Sequence, residues 1–146
     1  MNLNPNKMWE AWGRSNALYT AWCVEKGLNP YRMLVLHSIN GSSKTTQKRI
    51  ADYTGLSKQT VSTVIRALKA EELVSLSAGN QDRREKYVQL TEKGAAYTND
   101  LLAPLYALET RVFDLMGADR MKQMMDSLTL YNTVFDKELE DMRNET

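Results

Sequence analysis

The sequence contains few of the residues that secreted or metal-binding proteins depend on. Among its 146 residues there is one cysteine, Cys23, and one histidine, His37. A single cysteine excludes an intrachain disulfide, which fits a reducing compartment. One cysteine and one histidine are also too few for a dedicated transition-metal site, so we expect no metal and no cofactor.

Long hydrophobic runs are absent as well. No stretch approaches the run of about 18 apolar residues that would cross a bilayer. The N-terminal residues, MNLNPNKMWEAW, contain neither a long apolar segment nor a small-residue cleavage site, so we do not expect a signal peptide. The sequence therefore predicts a cytoplasmic protein without a membrane partner.

Catalytic combinations of residues are equally scarce. Cys23 and His37 are the only thiol and imidazole, and both lie in apolar helical segments without a phosphate-binding glycine loop or a nucleophile elbow. The acidic residues are scattered and form no recognisable pair. We expect no catalytic residues and no enzymatic activity.

The charge balance is nearly neutral, but the charges are unevenly distributed. The formal net charge is +1, with 42% apolar and 25% charged residues, as in ordinary globular domains. Between residues 42 and 70 a single acid, Asp52, accompanies six basic residues, whereas in residues 101–146 acids outnumber bases by nine to five. A basic middle and an acidic tail favour contact between the middle segment and a polyanion.

Helical patterns occupy the first half of the chain. Residues 7–26 have apolar side chains at helical spacing, and residues 29–40 predict a second helix with Asn29 as its cap and Pro30 at its first position. We expect the second helix to turn an apolar side inward, composed of Tyr31, Leu34, Val35 and Ile39.

Two closely spaced helices follow. The first has about eight residues, with Thr45 or Thr46 as its cap and Ile50, Ala51 and Tyr53 facing inward, and it ends at a turn that Gly55 permits. The second begins after Ser57 and has two distinct sides. Its apolar side comprises Val61, Val64, Ile65 and Leu68, and its polar side comprises Lys58, Gln59, Ser62, Thr63 and Arg66.

A β-hairpin is predicted after this helix, with strands at residues 73–76 and 86–90. Its turn contains Asp82, Arg83 and Arg84. Two short helices with a glycine turn and a following hairpin make a winged helix-turn-helix, whose second helix fits the major groove of DNA. We therefore expect the polar side of that helix to contact bases and phosphates through Lys58, Gln59, Ser62, Thr63 and Arg66. A hairpin beside such a helix reaches the neighbouring minor groove, whose negative potential attracts arginine. We therefore assign Arg83 and Arg84 to DNA and Asp82 to bracing the tip; the alternative is a surface ion pair worth at most about 1 kcal/mol.

The C-terminal part is predicted to be helical. Thr91 caps a long helix that Pro104 should kink and Gly117 should end, and Asp119 is expected to cap a last helix. That helix carries an apolar stripe over about six turns, including Met121, Leu128 and Phe135, which requires a partner surface.

The middle of the chain resembles a known family. The segments QKRIADYTGLSKQTVSTVIRALKAEELV and DRREKYVQLTEKG are similar to those of the MarR (multiple antibiotic resistance regulator) family of bacterial transcription factors, over about residues 29–94. The resemblance implies a homodimer with interlocked terminal helices, binding to a palindromic DNA operator, and release by a small aromatic ligand or an oxidant. It also implies that Arg84 enters the minor groove and that Asp82 braces it.

Together these features predict a mainly α fold with a small β-hairpin wing. Residues 41–94 form the winged helix-turn-helix DNA-binding domain, and residues 1–40 and 95–146 form a helical dimerisation region. The expected function is that of a homodimeric, sequence-specific, duplex-DNA-binding transcriptional repressor released by a small ligand. The alternatives are a winged-helix protein-interaction module without DNA binding and a redox-sensing regulator that uses Cys23.

We also expect a ligand pocket for a flat aromatic molecule, at the junction of the dimerisation region and the winged domains. Its candidate residues are Trp12, Tyr19, Tyr31 and His37, which the sequence places in the first two helices.

Overall fold

The computed structural model describes residues 3–79 and 86–145. In these ranges the chain forms six α-helices and three strands. They are α1 (Pro5–Glu25), α2 (Pro30–Asn40), β1 (Thr45–Thr46), α3 (Gln47–Thr54), α4 (Lys58–Ala70), β2 (Val74–Ala78), β3 (Lys86–Leu90), α5 (Glu92–Met116) and α6 (Ala118–Asn144). The predicted fold class is confirmed: the chain is mainly helical with a small antiparallel sheet.

The chain divides into two compact units, Met1–Leu102 and Ala103–Thr146. The first contains α1 to α4, the sheet and the start of α5, and the second contains the rest of α5 and α6. None of the helices in the described ranges has the length and apolar character that crossing a membrane requires.

Side-chain caps fix where the helices begin. The Asn29 carboxamide oxygen accepts from the backbone N–H groups of Tyr31 and Arg32, at 2.9 and 3.2 Å, and Pro30 follows it. Ser57 caps α4 by accepting from the N–H of Thr60 at 3.1 Å. These caps satisfy N–H groups that have no partner inside the helix, as the sequence predicted.

Two further cap predictions have different outcomes. Of the two threonines proposed for α3, Thr46 is the cap, and it accepts from the N–H of Arg49 at 3.2 Å. The prediction for α6 was wrong: Gly117, with φ 86°, is the N-cap residue and makes no side-chain cap bond. Asp119 is the second residue of α6 and lies in its first turn, where its carboxylate is close to the positive end of the helix dipole.

The core of the first unit lies between α2, α3, α4 and the sheet. Its fully or nearly fully buried members are Val35, Leu36, Ile39, Ile50, Val61, Ile65, Leu68, Leu73, Val74 and Val88. The expected inward positions of α4 are confirmed, with Val64 only partly buried.

Two aromatic residues assigned to the core are instead exposed. Tyr31 is 52% and Tyr53 64% exposed, whereas Met33 and Leu36 are buried. Helix α2 packs against α1, α3, α4 and β3, so it buries positions such as Met33 and Leu36 outside the predicted stripe. Tyr53 lies at the surface, where its hydroxyl is 3.1 Å from Nδ1 of His37.

The three strands are ordered β1-β3-β2 and are antiparallel. Val88 is paired with Thr45 on one side and with Leu76 on the other, and its side chain is fully buried. The sequence predicted β2 and β3 but not β1, because a strand of two residues has no periodicity to detect.

A tight corner joins the sheet to α5. Thr91 donates its N–H to the carbonyl of Leu73 at 3.0 Å and its hydroxyl to the carbonyl of Glu72 at 2.7 Å. The hydroxyl also accepts from the N–H of Gly94 at 2.9 Å, which confirms Thr91 as the cap of α5. A Cβ on Gly94 would lie 1.8 Å from the Leu73 carbonyl oxygen, so this close approach requires glycine.

Candidate nucleic-acid interface

The turn between α3 and α4 determines how α4 is presented. Gly55 has φ 72°, a left-handed conformation, and its N–H bonds to the carbonyl of Ala51 at 2.8 Å. The hydroxyl of Thr54 donates to the carbonyl of Ile50 at 2.7 Å and accepts from the N–H of Leu56 at 3.2 Å. These bonds end α3 abruptly and allow α4 to start after three intervening residues, which is the geometry of a helix-turn-helix.

The two sides of α4 have opposite surroundings. Val61, Ile65 and Leu68 are at most 1% exposed. Of the five polar residues proposed for DNA contact, Lys58, Gln59, Thr63 and Arg66 are exposed and Ser62 is partly exposed. The structure therefore places the whole predicted polar set on the side of α4 away from the core.

Hydroxyl groups on α4 are bonded to their own helix. Thr63 donates its Oγ1 hydrogen to the carbonyl of Gln59 at 3.0 Å. The Ser57 hydroxyl, besides capping the helix, donates to Oγ1 of Thr60 at 2.9 Å.

The C-terminal end of α4 is held by residues far away in the sequence. Arg32 on α2 donates two hydrogen bonds to the Glu71 carboxylate, at 2.6 and 3.0 Å, and one to the Tyr97 hydroxyl at 3.3 Å. Its guanidinium lies 5.5 Å from the centre of the Tyr97 ring, within cation–π range. Lys93 donates to the carbonyl of Glu71 at 3.0 Å. Sequence analysis missed this cluster, because 39 residues separate Arg32 from Glu71 and no local pattern connects them.

The charges of this cluster stabilise one another. The hydrogen bond from Arg32 is the main reason why the pKa of Glu71 is below its ordinary value. Burial lowers the pKa of Arg32, but the hydrogen bonds to Glu71 and Tyr97 outweigh that effect, and the pKa is raised. Both groups are therefore ionised near neutral pH, and the ion pair links α2 to the end of α4.

The hairpin formed by β2 and β3 corresponds to the predicted wing. Its turn, including Asp82, Arg83 and Arg84, lies outside the described residues, so the roles proposed for those three residues remain predictions. The Lys44 ammonium lies 4.5 Å from the centre of the Tyr87 ring on β3, and Tyr87 is paired with Ser77 near the turn end of the strands. This contact places a positive charge beside the wing.

The four residues proposed for a ligand pocket remain a prediction, and one of them lines a cleft in the described part of the chain. Tyr31 lines an open cleft of about 450 Å³ between the start of α2 and one flank of α4. The other lining residues are Asn29, Arg32, Gln59, Thr60, Thr63, Val64 and Ala67. Trp12 stacks with Trp9 at 6.1 Å, and His37 stacks with Tyr53 at the same distance. Trp12, Tyr19 and His37 are not lining residues of this cleft.

Cys23 is fully buried, and burial raises the pKa of its thiol. Oxidants react with the thiolate, so burial lowers the reactivity of this cysteine. Within residues 3–79 and 86–145, no three or more histidine, cysteine or acidic residues are grouped in a way that could hold a metal ion.

Comparison with known proteins agrees with this architecture. Residues 26–85 match the model of the MarR family. The structure of NMB1585, a MarR family regulator from Neisseria meningitidis, superposes with a TM-score of 0.84 at 27% identity, over 95% of this chain and 99% of that one. The chain is similar to MarR family regulators in sequence over residues 26–85 and in fold over nearly its whole length.

Other MarR-like proteins share shorter or more distant similarity. The HTH-type transcriptional repressor NicR of Pseudomonas putida is 28% identical over 93 residues, which are 64% of this chain and 59% of NicR. The chain therefore spans little more than half the length of that relative. The MepR–DNA complex of S. aureus superposes with a TM-score of 0.69 at 17% identity, over 92% of this chain and 99% of that one. At that identity the likeness to MepR shows a shared MarR fold.

Proposed function

We propose that this protein acts as a MarR family regulator, which binds duplex DNA as a homodimer and represses transcription. The observation that carries this proposal is the exposed polar side of α4, opposite a side on which Val61, Ile65 and Leu68 are buried. Support also comes from the family, since NicR is a transcriptional repressor and MepR forms a complex with DNA.

The dimensions of α4 suit the major groove. Its 13 residues span about 20 Å, and a helix with side chains is about 10–12 Å wide, close to the groove width of about 12 Å. Arg66 and Lys58 have donors for guanine edges or phosphates, and Gln59 can pair with both N6 and N7 of adenine. If the polar side of α4 contacted only water, the Gly55 turn and the hairpin beside α4 would have no role in presenting it.

The wing completes the proposed interface. Arg83 and Arg84 follow β2 and precede β3, and we assign them to the adjacent minor groove with Asp82 as their brace. The Lys44 ammonium beside Tyr87 on β3 adds positive charge on the same module. Minor-groove potential attracts arginine most strongly where the groove is narrow, which favours A·T-rich flanks.

Apolar surface supports the homodimer. In the second unit, α6 exposes Met124, Met125, Leu128, Tyr131 and Phe135, each by 38–57%. On α1, the Trp9–Trp12 stack is also exposed, with Trp9 at 66%. Contiguous exposed apolar surface of this kind marks a protein interface, and a second copy supplies the two-fold symmetry of a palindromic operator.

Release by a small aromatic ligand is part of the proposal. The cleft beside Tyr31 has a volume within the usual range for ligand sites of about 300–1,000 Å³. Because Gln59 and Thr63 line it, a ligand there would compete directly with DNA for α4.

A matched pair of charge variants tests DNA binding. Arg66→Ala and Lys137→Ala each remove one positive charge, but only Arg66 lies on the polar side of α4. We expect Arg66→Ala to weaken binding to a selected duplex about tenfold or more, since a good base contact is worth about 1–3 kcal/mol, and Lys137→Ala to leave it unchanged. Equal affinities for the wild type and both variants would contradict the role of α4, as would a wild-type protein that binds no duplex.

A further inference from the structure

Thr63 occupies the outermost line of α4 together with Gln59 and Arg66. These residues are spaced by four and three positions, so they share one face of the helix. Thr63 is exposed, and the core residues Val61 and Ile65 point to the opposite side. If α4 enters the major groove of DNA, Thr63 is among the side chains that contact the base edges.

The hydroxyl of Thr63 is already in use as a donor. Its Oγ1 gives its hydrogen to the carbonyl of Gln59, one turn earlier, at 3.0 Å. A hydroxyl has one hydrogen to donate, so this group has none for the acceptor atoms of guanine, adenine or thymine. Since the hydroxyl hydrogen is used within the helix, the side chain offers an outside partner its methyl group and the remaining acceptor capacity of Oγ1.

One base presents a matching group in the major groove. Thymine carries a 5-methyl there, and the other three bases present donors and acceptors without a methyl group. We infer that Thr63 determines specificity by packing its methyl group against the 5-methyl of a thymine in each half-site. The inference rests on the proposed DNA binding, and it specifies which group of Thr63 makes the contact and which base it recognises.

The remaining acceptor capacity of Oγ1 gives a competing arrangement. The oxygen can still accept a hydrogen bond from the amino group of cytosine or adenine. Two substitutions separate the two arrangements. Thr63→Val keeps the methyl and the branched shape but loses the oxygen, whereas Thr63→Ser keeps the hydroxyl and loses the methyl.

The probe is the duplex that the wild-type protein selects from a random pool, together with copies in which single thymidines are replaced by deoxyuridine. This replacement removes the 5-methyl and leaves base pairing unchanged. Affinities of the wild type and both variants are measured by fluorescence anisotropy on every duplex. Circular dichroism of each variant confirms that α4 is folded.

We expect one thymidine per half-site whose replacement weakens the wild type and Thr63→Val about fourfold, the value of one buried methyl group. Thr63→Ser should bind the thymidine and deoxyuridine duplexes equally. The inference is overturned if no replacement matters, if Thr63→Ser keeps the discrimination, or if Thr63→Val loses it. A wild type that selects no duplex would instead refute the proposed function itself.

Discussion

Replacing Gly94 by alanine should destabilise the first unit severely. The added Cβ would lie 1.8 Å from the carbonyl oxygen of Leu73 and 2.7 Å from its carbonyl carbon. Carbon–oxygen contacts normally begin near 3.3 Å, so the start of α5 and the start of β2 must separate by about 1.5 Å. Both clashing atoms belong to the backbone and cannot rotate away.

The cost follows from the bonds that this separation would break. Thr91 donates to the carbonyls of Leu73 and Glu72, at 3.0 and 2.7 Å, and each bond contributes about 1 kcal/mol. Overpacking adds about 1–3 kcal/mol. The expected loss of about 3–5 kcal/mol is a large share of the 5–15 kcal/mol that typically stabilises a domain.

Urea denaturation followed by circular dichroism measures this loss, at one fixed protein concentration because association affects the midpoint. Gly41→Ala is the control, since its Cβ would meet nothing closer than 3.9 Å and its φ of −79° suits alanine. We expect the control to change stability by less than about 1 kcal/mol. A Gly94→Ala protein as stable as the control would refute the close approach of α5 to Leu73.

Three further predictions concern stability and assembly. Glu72 has φ 60°, which costs a side-chain-bearing residue about 1 kcal/mol, so Glu72→Gly should raise the melting temperature; a lower one would contradict this. The pKa of Glu71 is lowered mainly by the Arg32 hydrogen bond. The ion pair therefore stabilises the fold fully above the ordinary carboxyl pKa of about 4, and this stabilisation is lost as the pH falls through the lowered pKa. The free energy of unfolding of the wild type, measured by urea denaturation, should therefore fall more steeply below about pH 4 than that of Glu71→Gln, with a difference of at most about 1 kcal/mol. Parallel pH profiles of the two proteins would exclude the effect. Leu128→Asp should dissociate the homodimer, as measured by light scattering, since an unpaired charge in an apolar interface costs several kcal/mol. The control Thr133→Asp, on the opposite side of α6, should leave the dimer intact. Intact dimers of both variants would rule out this interface.

The local features of this chain were predictable from its sequence. Asn29, Ser57 and Thr91 cap their helices as expected, because a cap depends on a side chain and an N–H group two or three residues away. The buried and exposed sides of α4 were also predictable, since one helix packed on one core gives a single clear stripe.

Features that depend on distant partners were not predictable. Tyr53 has the spacing of a core residue, but it lies at the surface beside His37. The pairing of Arg32 with Glu71 has no local signal, and the two-residue strand β1 exists only because β3 is beside it. Gly94 was noted only as part of a motif, and its role became clear once Leu73 was placed against it.

DNA reading by α4 is tested most directly by selecting duplexes from a random pool with the full-length wild-type chain and sequencing those that remain bound. We expect enrichment of a palindrome with two half-sites about 10–10.5 base pairs apart, one for each α4 of a dimer. Recovery of the pool without any enriched sequence would contradict sequence-specific recognition by this helix.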